Sequence, residues 1–159
     1  MTCRLIIHPT DFTLTSDAAF RQAIAIAQRD GASLLVVHVV EPPSPMLVDR
    51  SSVHYRELMA SQRVRARAIL EKMMVRAKEA RISATDVVLE GAPPEEIARL
   101  ARKRHADLIV MATRGRVGLK DMIMGSTAER VIGRAPCPVL AVRPERRGAA
   151  SPRARAAAR

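Results

Sequence analysis

Aromatic side chains are nearly missing from this 159-residue chain, which has no Trp and carries only Phe12, Phe20 and Tyr55. A core without large rings must be assembled from Ala, Val, Ile, Leu and Met, and aliphatic packing of that kind suits strands covered by helices. The shortage also counts against nucleic-acid binding by base stacking, which needs aromatic platforms. Cys3 and Cys137 are the only two thiols. They make no disulfide framework and have no metal-binding spacing, so both are expected to be reduced and packed. No apolar run reaches the 18 residues of a membrane span, and the apolar stretch before Pro9-Thr10-Asp11 is too short for a signal-peptide core. A soluble, cytoplasmic protein without membrane association is therefore expected.

Acidic charge is in short supply too: the formal net charge is +11. Residues 144–159 hold five Arg and one Glu, and the remaining excess is scattered along helix faces. A solvated basic surface explains that distribution better than a nucleic-acid footprint. The division expected is one domain over residues 1–143 and a basic, disordered Ala/Arg/Pro tail over 144–159.

Within the domain, short β-rich runs alternate with helical ones. Arg4–His8 reads as a buried first strand, and Ser16 precedes a helix to about Arg29 with Ala19, Phe20, Ala23, Ile24 and Ala27 on one face. Asp30-Gly31 ends it. Leu34–Val40 is a near-continuous apolar run, as in a strand covered on both faces. The prolines of Glu41–Asp49 exclude regular structure, and a long helix follows from about Ser52 to Ala80. Its inner stripe contains Tyr55, Leu58, Met59, Ala66, Ile69, Leu70, Met73 and Ala77. A third strand at Thr85–Glu90, a helix from Pro94, a fourth strand at Asp107–Ala112, a helix near Ser126–Gly133 and a fifth strand at Pro138–Val142 complete the order. Such alternation implies a single-domain, open, five-stranded parallel sheet, doubly wound with helices on both faces.

Ligands of such sheets bind beyond the carboxyl ends of strands where the winding reverses. Pro9, Thr10 and Asp11 follow the first strand. After the fourth comes Ala112-Thr-Arg-Gly115-Arg116-Val-Gly118, leading to Gly125-Ser126-Thr127. Glycines let backbone N–H groups approach an anion, Ser126 offers a hydroxyl at a helix start, and Arg114 and Arg116 add charge. Ser126 and Glu129 also have the spacing of a capping box, and Asp11 has the bland alternative of a turn former. The segment is neither a Walker A motif nor GxGxxG. His8 and His38 are expected as hydrogen-bonded core imidazoles, and His54 and His105 as surface residues in helical contexts. No triad, paired carboxylates or metal cluster stands out, so no dedicated catalytic centre is expected.

Five ordered segments resemble the universal stress protein family over nearly all of residues 3–143. They are Leu5-Ile-Ile-His-Pro-Thr-Asp-Phe12, Val37-His-Val-Val40, Gly91-Ala-Pro-Pro-Glu-Glu-Ile97, Asp107-Leu-Ile-Val-Met111 and the stretch Thr113–Val142. The resemblance implies a UspA-like, Rossmann-like fold of the adenine nucleotide alpha hydrolase type. The family's nucleotide-binding branch carries G-x2-G-x9-G-[S/T], which falls here on Ala112, Gly115, Gly125 and Ser126. Ala112 departs from the first glycine, and its methyl group would crowd a ligand if the backbone there needed close approach or positive φ.

What the resemblance implies is an ATP-binding, stress-response regulatory module, with Mg²⁺ as a companion ion. Pro9, Thr10 and Asp11 would contact ribose or adenine, Val39 and Met111 would line the adenine slot, and Gly115, Arg116, Gly125, Ser126 and Thr127 would hold phosphates. Gly118 and Ala112 complete the candidate set. The resemblance further implies a homodimer through Pro138–Val142 and an unidentified protein partner. The alternatives are a non-binding dimeric scaffold of the same family and a slow ATP hydrolase.

Overall fold

The computed structural model describes residues 3–113 and 125–143. Nine elements follow in the order β1 (Leu5–Pro9), α1 (Leu14–Asp30), β2 (Ser33–Val40), α2 (Val53–Glu79), β3 (Ala84–Glu90), α3 (Pro93–Lys103), β4 (Leu108–Ala112), α4 (Ser126–Ile132) and β5 (Val139–Val142). All described strand pairings are parallel, and the sheet order is β3-β2-β1-β4-β5. Among the described residues no helix is long and apolar enough to cross a membrane.

Period-two alternation divides the strand residues between two apolar layers. Ile6, Leu34, Val36 and Val110 pack with Phe20, Ala23 and Ala27 of α1 and Leu70 and Met73 of α2. Their neighbours Ile7, Leu35, Val37, Ile109 and Met111 face Ile97, Leu100 and Ala101 of α3 with Ala128 and Val131 of α4. Helices therefore cover both faces, which explains why β2 is apolar at nearly every position. Each fully buried Leu, Ile, Val or Phe contributes about 1.5–3 kcal/mol of transfer free energy, so the aliphatic layers suffice without more rings.

Two helix starts differ from expectation. Helix α1 begins at Leu14, capped by Thr13, whose Oγ1 accepts from the Ser16 N–H at 3.2 Å. Ser16 is therefore a buried residue of the first turn and not the residue before the helix. At α4 the cap is Gly125, with no side-chain capping hydrogen bond, and Ser126 is the first helical residue. The Ser126–Glu129 capping box is not formed, because Ser126 stands one position too late to serve as the cap. Gly31 ends α1 in the left-handed region at φ 67°, as the Asp-Gly pair suggests. The α2 stripe buries Met59, Ala66, Leu70, Met73 and Ala77 but leaves Ile69 at its exposed margin.

Candidate functional site

Between β1 and β4 the order of winding reverses, since β2 and β3 lie on one side of β1 and β4 and β5 on the other. The β1–α1 loop leaves one strand end there, and the β4 end and the start of α4 stand opposite. A cavity of about 470 Å³ opens at this place, and its lining includes Pro9, Thr10, Asp11, Val39, Met111, Ala112, Gly125, Ser126 and Thr127. Nine of the candidate residues are thus brought together. Gly115, Arg116 and Gly118 lie outside the described residues.

The β1–α1 loop is tightly specified. The Thr10 N–H continues the ladder to β2 by donating to the Val37 carbonyl at 2.8 Å. Its Oγ1 accepts from the Phe12 N–H at 3.1 Å and from the Ser16 hydroxyl at 2.9 Å. Asp11 Oδ1 accepts from the Thr13 N–H at 3.1 Å and its hydroxyl at 2.6 Å. The turn-forming role of Asp11 is therefore present, and the same residue lines the cavity.

On the β4 side, Thr113 N–H donates to the Val142 carbonyl at 2.9 Å, and Gly125 N–H to the Thr113 carbonyl at 2.7 Å. Ala112 is the last β4 residue, paired with Val142, and is not among the residues of positive φ. The backbone conformation there does not demand glycine. Met111 is buried and Val39 half-buried; with Ile97 of α3 they give the cavity an apolar wall. Ser126 is exposed at the first turn of α4, with Thr127 half-buried beside it. The site thus joins an apolar slot to hydroxyls and main-chain N–H groups at a helix start.

Both strand histidines are hydrogen-bonded. His8 is fully buried, and its Nδ1 lies 2.8 Å from the Val110 carbonyl oxygen. A carbonyl can only accept, so Nδ1 carries the proton. Burial pushes the His8 pKa down to about 4. His38 Nδ1 donates to the Thr10 carbonyl at 2.8 Å, and the residue also lines the cavity. His54 and His105 are exposed, but His105 belongs to the turn after α3 at φ 51°, outside any helix.

Several lining residues had no sequence signal of their own. Thr113 is buried, and among the described residues its Oγ1 has no hydrogen-bond partner. Only its place beside Ala112 could have drawn attention to it. Gln62 and Glu41 also reach the cavity. Gln62 is half-buried on the inner stripe of α2, three residues after Met59 and four before Ala66.

The chain is thus an open, doubly wound α/β protein with a cavity at the point of its sheet where ligands of such folds bind. The universal stress protein family matches residues 3–143, and the chain belongs to that family. Universal stress protein MJ0531 of Methanocaldococcus jannaschii is 36% identical over 138 residues, covering 87% of this chain and 81% of its own length. The solved structure of MJ0577 from the same organism superposes with a TM-score of 0.83 at 25% identity, covering 92% of this chain and 99% of that one. A universal stress protein solved in complex with cAMP shares the fold at a TM-score of 0.64 and 24% identity, over 89% of this chain and 98% of that one.

Proposed function

We propose that the chain is an ATP-binding regulatory module of the stress response. The cavity at the β1/β4 reversal carries this reading: at about 470 Å³ it falls in the range of small-molecule sites, roughly 300–1,000 Å³. It pairs an apolar slot with hydroxyls at a helix start, the division of labour an adenine ring and its phosphates require. Val39, Met111 and Ile97 would flank adenine; Asp11, Pro9 and Thr10 would meet the ribose. Gly125, Ser126 and Thr127, together with Gly115, Arg116 and Gly118, would hold the phosphates. The adenylate held by a fold neighbour belongs to that protein, and agrees with this use of the architecture.

Beside the Asp11 and Glu41 carboxylates, the cavity is lined by Thr113, Ser126 and Thr127, and the described residues hold no group of three or more His, Cys, Asp or Glu placed to bind a metal. That donor set fits a Mg²⁺ carried on the nucleotide's own phosphates and water ligands. The module works as a binder whose bound and empty states differ on the surface, as a homodimer through the β5 edge, in the cytoplasm, with a protein partner reading the difference. Quantifying nucleotide released on denaturation and titrating the emptied chain with ATP and Mg²⁺ tests it. Saturable ATP binding lost on cavity substitution supports the reading, and no binding at millimolar ATP removes it.

A further inference from the structure

The two residues that flank Asp11 in sequence are both held by one imidazole. His38, projecting from β2, donates Nδ1–H to the Thr10 carbonyl at 2.8 Å. The Phe12 ring stacks on the same imidazole, with centroids 4.2 Å apart and planes inclined by 25°. Phe12 is in the left-handed region at φ 64°, which an aromatic residue adopts only when its surroundings over-determine it. Thr10 is fixed further by Val37 and Ser16, so the peptide entering Asp11 is clamped from β2 and α1 together. A residue between two clamped neighbours has little freedom of direction. Asp11 lines the cavity from this position.

We infer that His38 and Phe12 are positioning residues that aim the Asp11 carboxylate at the ribose hydroxyls of a bound adenine nucleotide, and so set the site's preference for ribose over deoxyribose. This rests on the proposed reading of the cavity as a nucleotide site. The imidazole, although it also lines the cavity, acts in this role through the Thr10 carbonyl and the Phe12 ring. Loss of either contact would let residues 10–13 relax, separating Asp11 from the sugar while leaving the adenine slot and the α4 end as they are.

The test compares ATP with 2′-deoxy-ATP by calorimetric titration of the emptied full-length protein. Wild type is expected to favour ATP by about tenfold, the usual effect of a hydrogen bond to a charged group, and Asp11→Ala to abolish that preference. His38→Phe keeps a ring for stacking and loses the donor; Phe12→Leu loses the ring and keeps the donor. Each should narrow the preference to about threefold or less; in Phe12→Leu, whose side chain does not line the cavity, deoxy-ATP binding should stay within about twofold, and Phe12→Tyr should retain the wild-type ratio. Unaltered deoxy-ATP binding certifies that the variants are folded. An unchanged ratio in both His38→Phe and Phe12→Leu, with Asp11→Ala losing it, overturns the bracing role and leaves the ribose contact standing. Equal weakening of both nucleotides also overturns it, as a general structural effect. A wild-type ratio near one, or one indifferent to Asp11→Ala, removes the ribose reading of Asp11 and the inference with it.

Discussion

The main-chain N–H of Gly125 donates to the carbonyl of Thr113 at 2.7 Å, tying the residue after β4 to the residue before α4. The two ends of the glycine-containing segment are thereby joined at the mouth of the cavity. Gly125 has φ −79° and ψ 153°, a conformation any residue adopts. The backbone there does not require glycine, and under the proposed reading the missing side chain leaves room for a phosphate. Gly125→Ala should shift the melting temperature by less than about 3 °C, equivalent to about 1 kcal/mol or less, while weakening ATP binding about tenfold or more. Calorimetry and thermal unfolding on the same preparation check both halves.

Ala112 occupies the position where the nucleotide-binding pattern of the family has its first glycine. It ends β4 in register with Val142, so a methyl group there carries no backbone penalty. Ala112→Gly should change ATP affinity by less than about threefold, whereas Ala112→Leu, which fills the cavity, should lower it by about a hundredfold. A large gain on Ala112→Gly would mean that the methyl group obstructs the site.

Most of the fold was legible because its signals are local. The apolar runs at Leu34–Val40 and Leu108–Ala112, the Asp-Gly stop at Gly31 and the Pro-Pro-Glu-Glu start of α3 each fix an element without tertiary information. The misreadings came where two local signals compete. Ser16 and Ser126 both look like caps, but Thr13 and Gly125 stand in the extended conformation that defines the cap position. In the cavity lining, Asp11 and Ser126 were singled out by their places after a strand and at a helix start, whereas Met111, inside β4, came only from the family resemblance. Thr113 and the support of Asp11 by His38 were not, since each depends on partners 28 or more residues away or on burial known only from packing. The brace by Asp107 is of the same kind: its carboxylate accepts from the N–H groups of Arg4 and Leu5 at 2.8 and 2.9 Å across 103 and 102 residues.

Acid should destabilise the fold in two stages. Burial holds His8 at about 4, below the ordinary 6.5. The unfolded chain therefore binds a proton more readily than the folded one between these values, and stability falls as pH drops from about 6.5 to 4. The full effect is about 3 kcal/mol, at 1.36 kcal/mol per pH unit. Asp107 is also held below its ordinary value, by the main-chain N–H groups of Leu5 and then Arg4, so its contribution is lost only below about pH 3.8. In urea unfolding, His8→Asn should flatten the dependence between pH 6.5 and 4 and leave the lower stage in place. A wild-type chain equally stable at pH 7 and 4.5 contradicts the buried neutral imidazole.

The β5 edge offers a test of assembly. The Pro138 and Val142 carbonyls accept from β4, so by the period of two Val139 and Ala141 direct their N–H groups outward. Ala141→Pro should therefore remove an outward donor without cutting the β4 ladder. Light scattering is expected to find wild type dimeric and this variant monomeric, with ATP affinity within about threefold of wild type. A monomeric wild-type chain would rule out pairing through this edge.

The central claim is tested most directly by measuring the nucleotide that the freshly purified chain carries and then titrating the emptied protein with ATP and Mg²⁺. The account predicts about one ATP per chain at micromolar affinity, weakened about a hundredfold in Ala112→Leu. An empty protein that takes up no ATP at millimolar concentration would contradict it, and would leave the β5 edge as the functional surface of a dimeric scaffold.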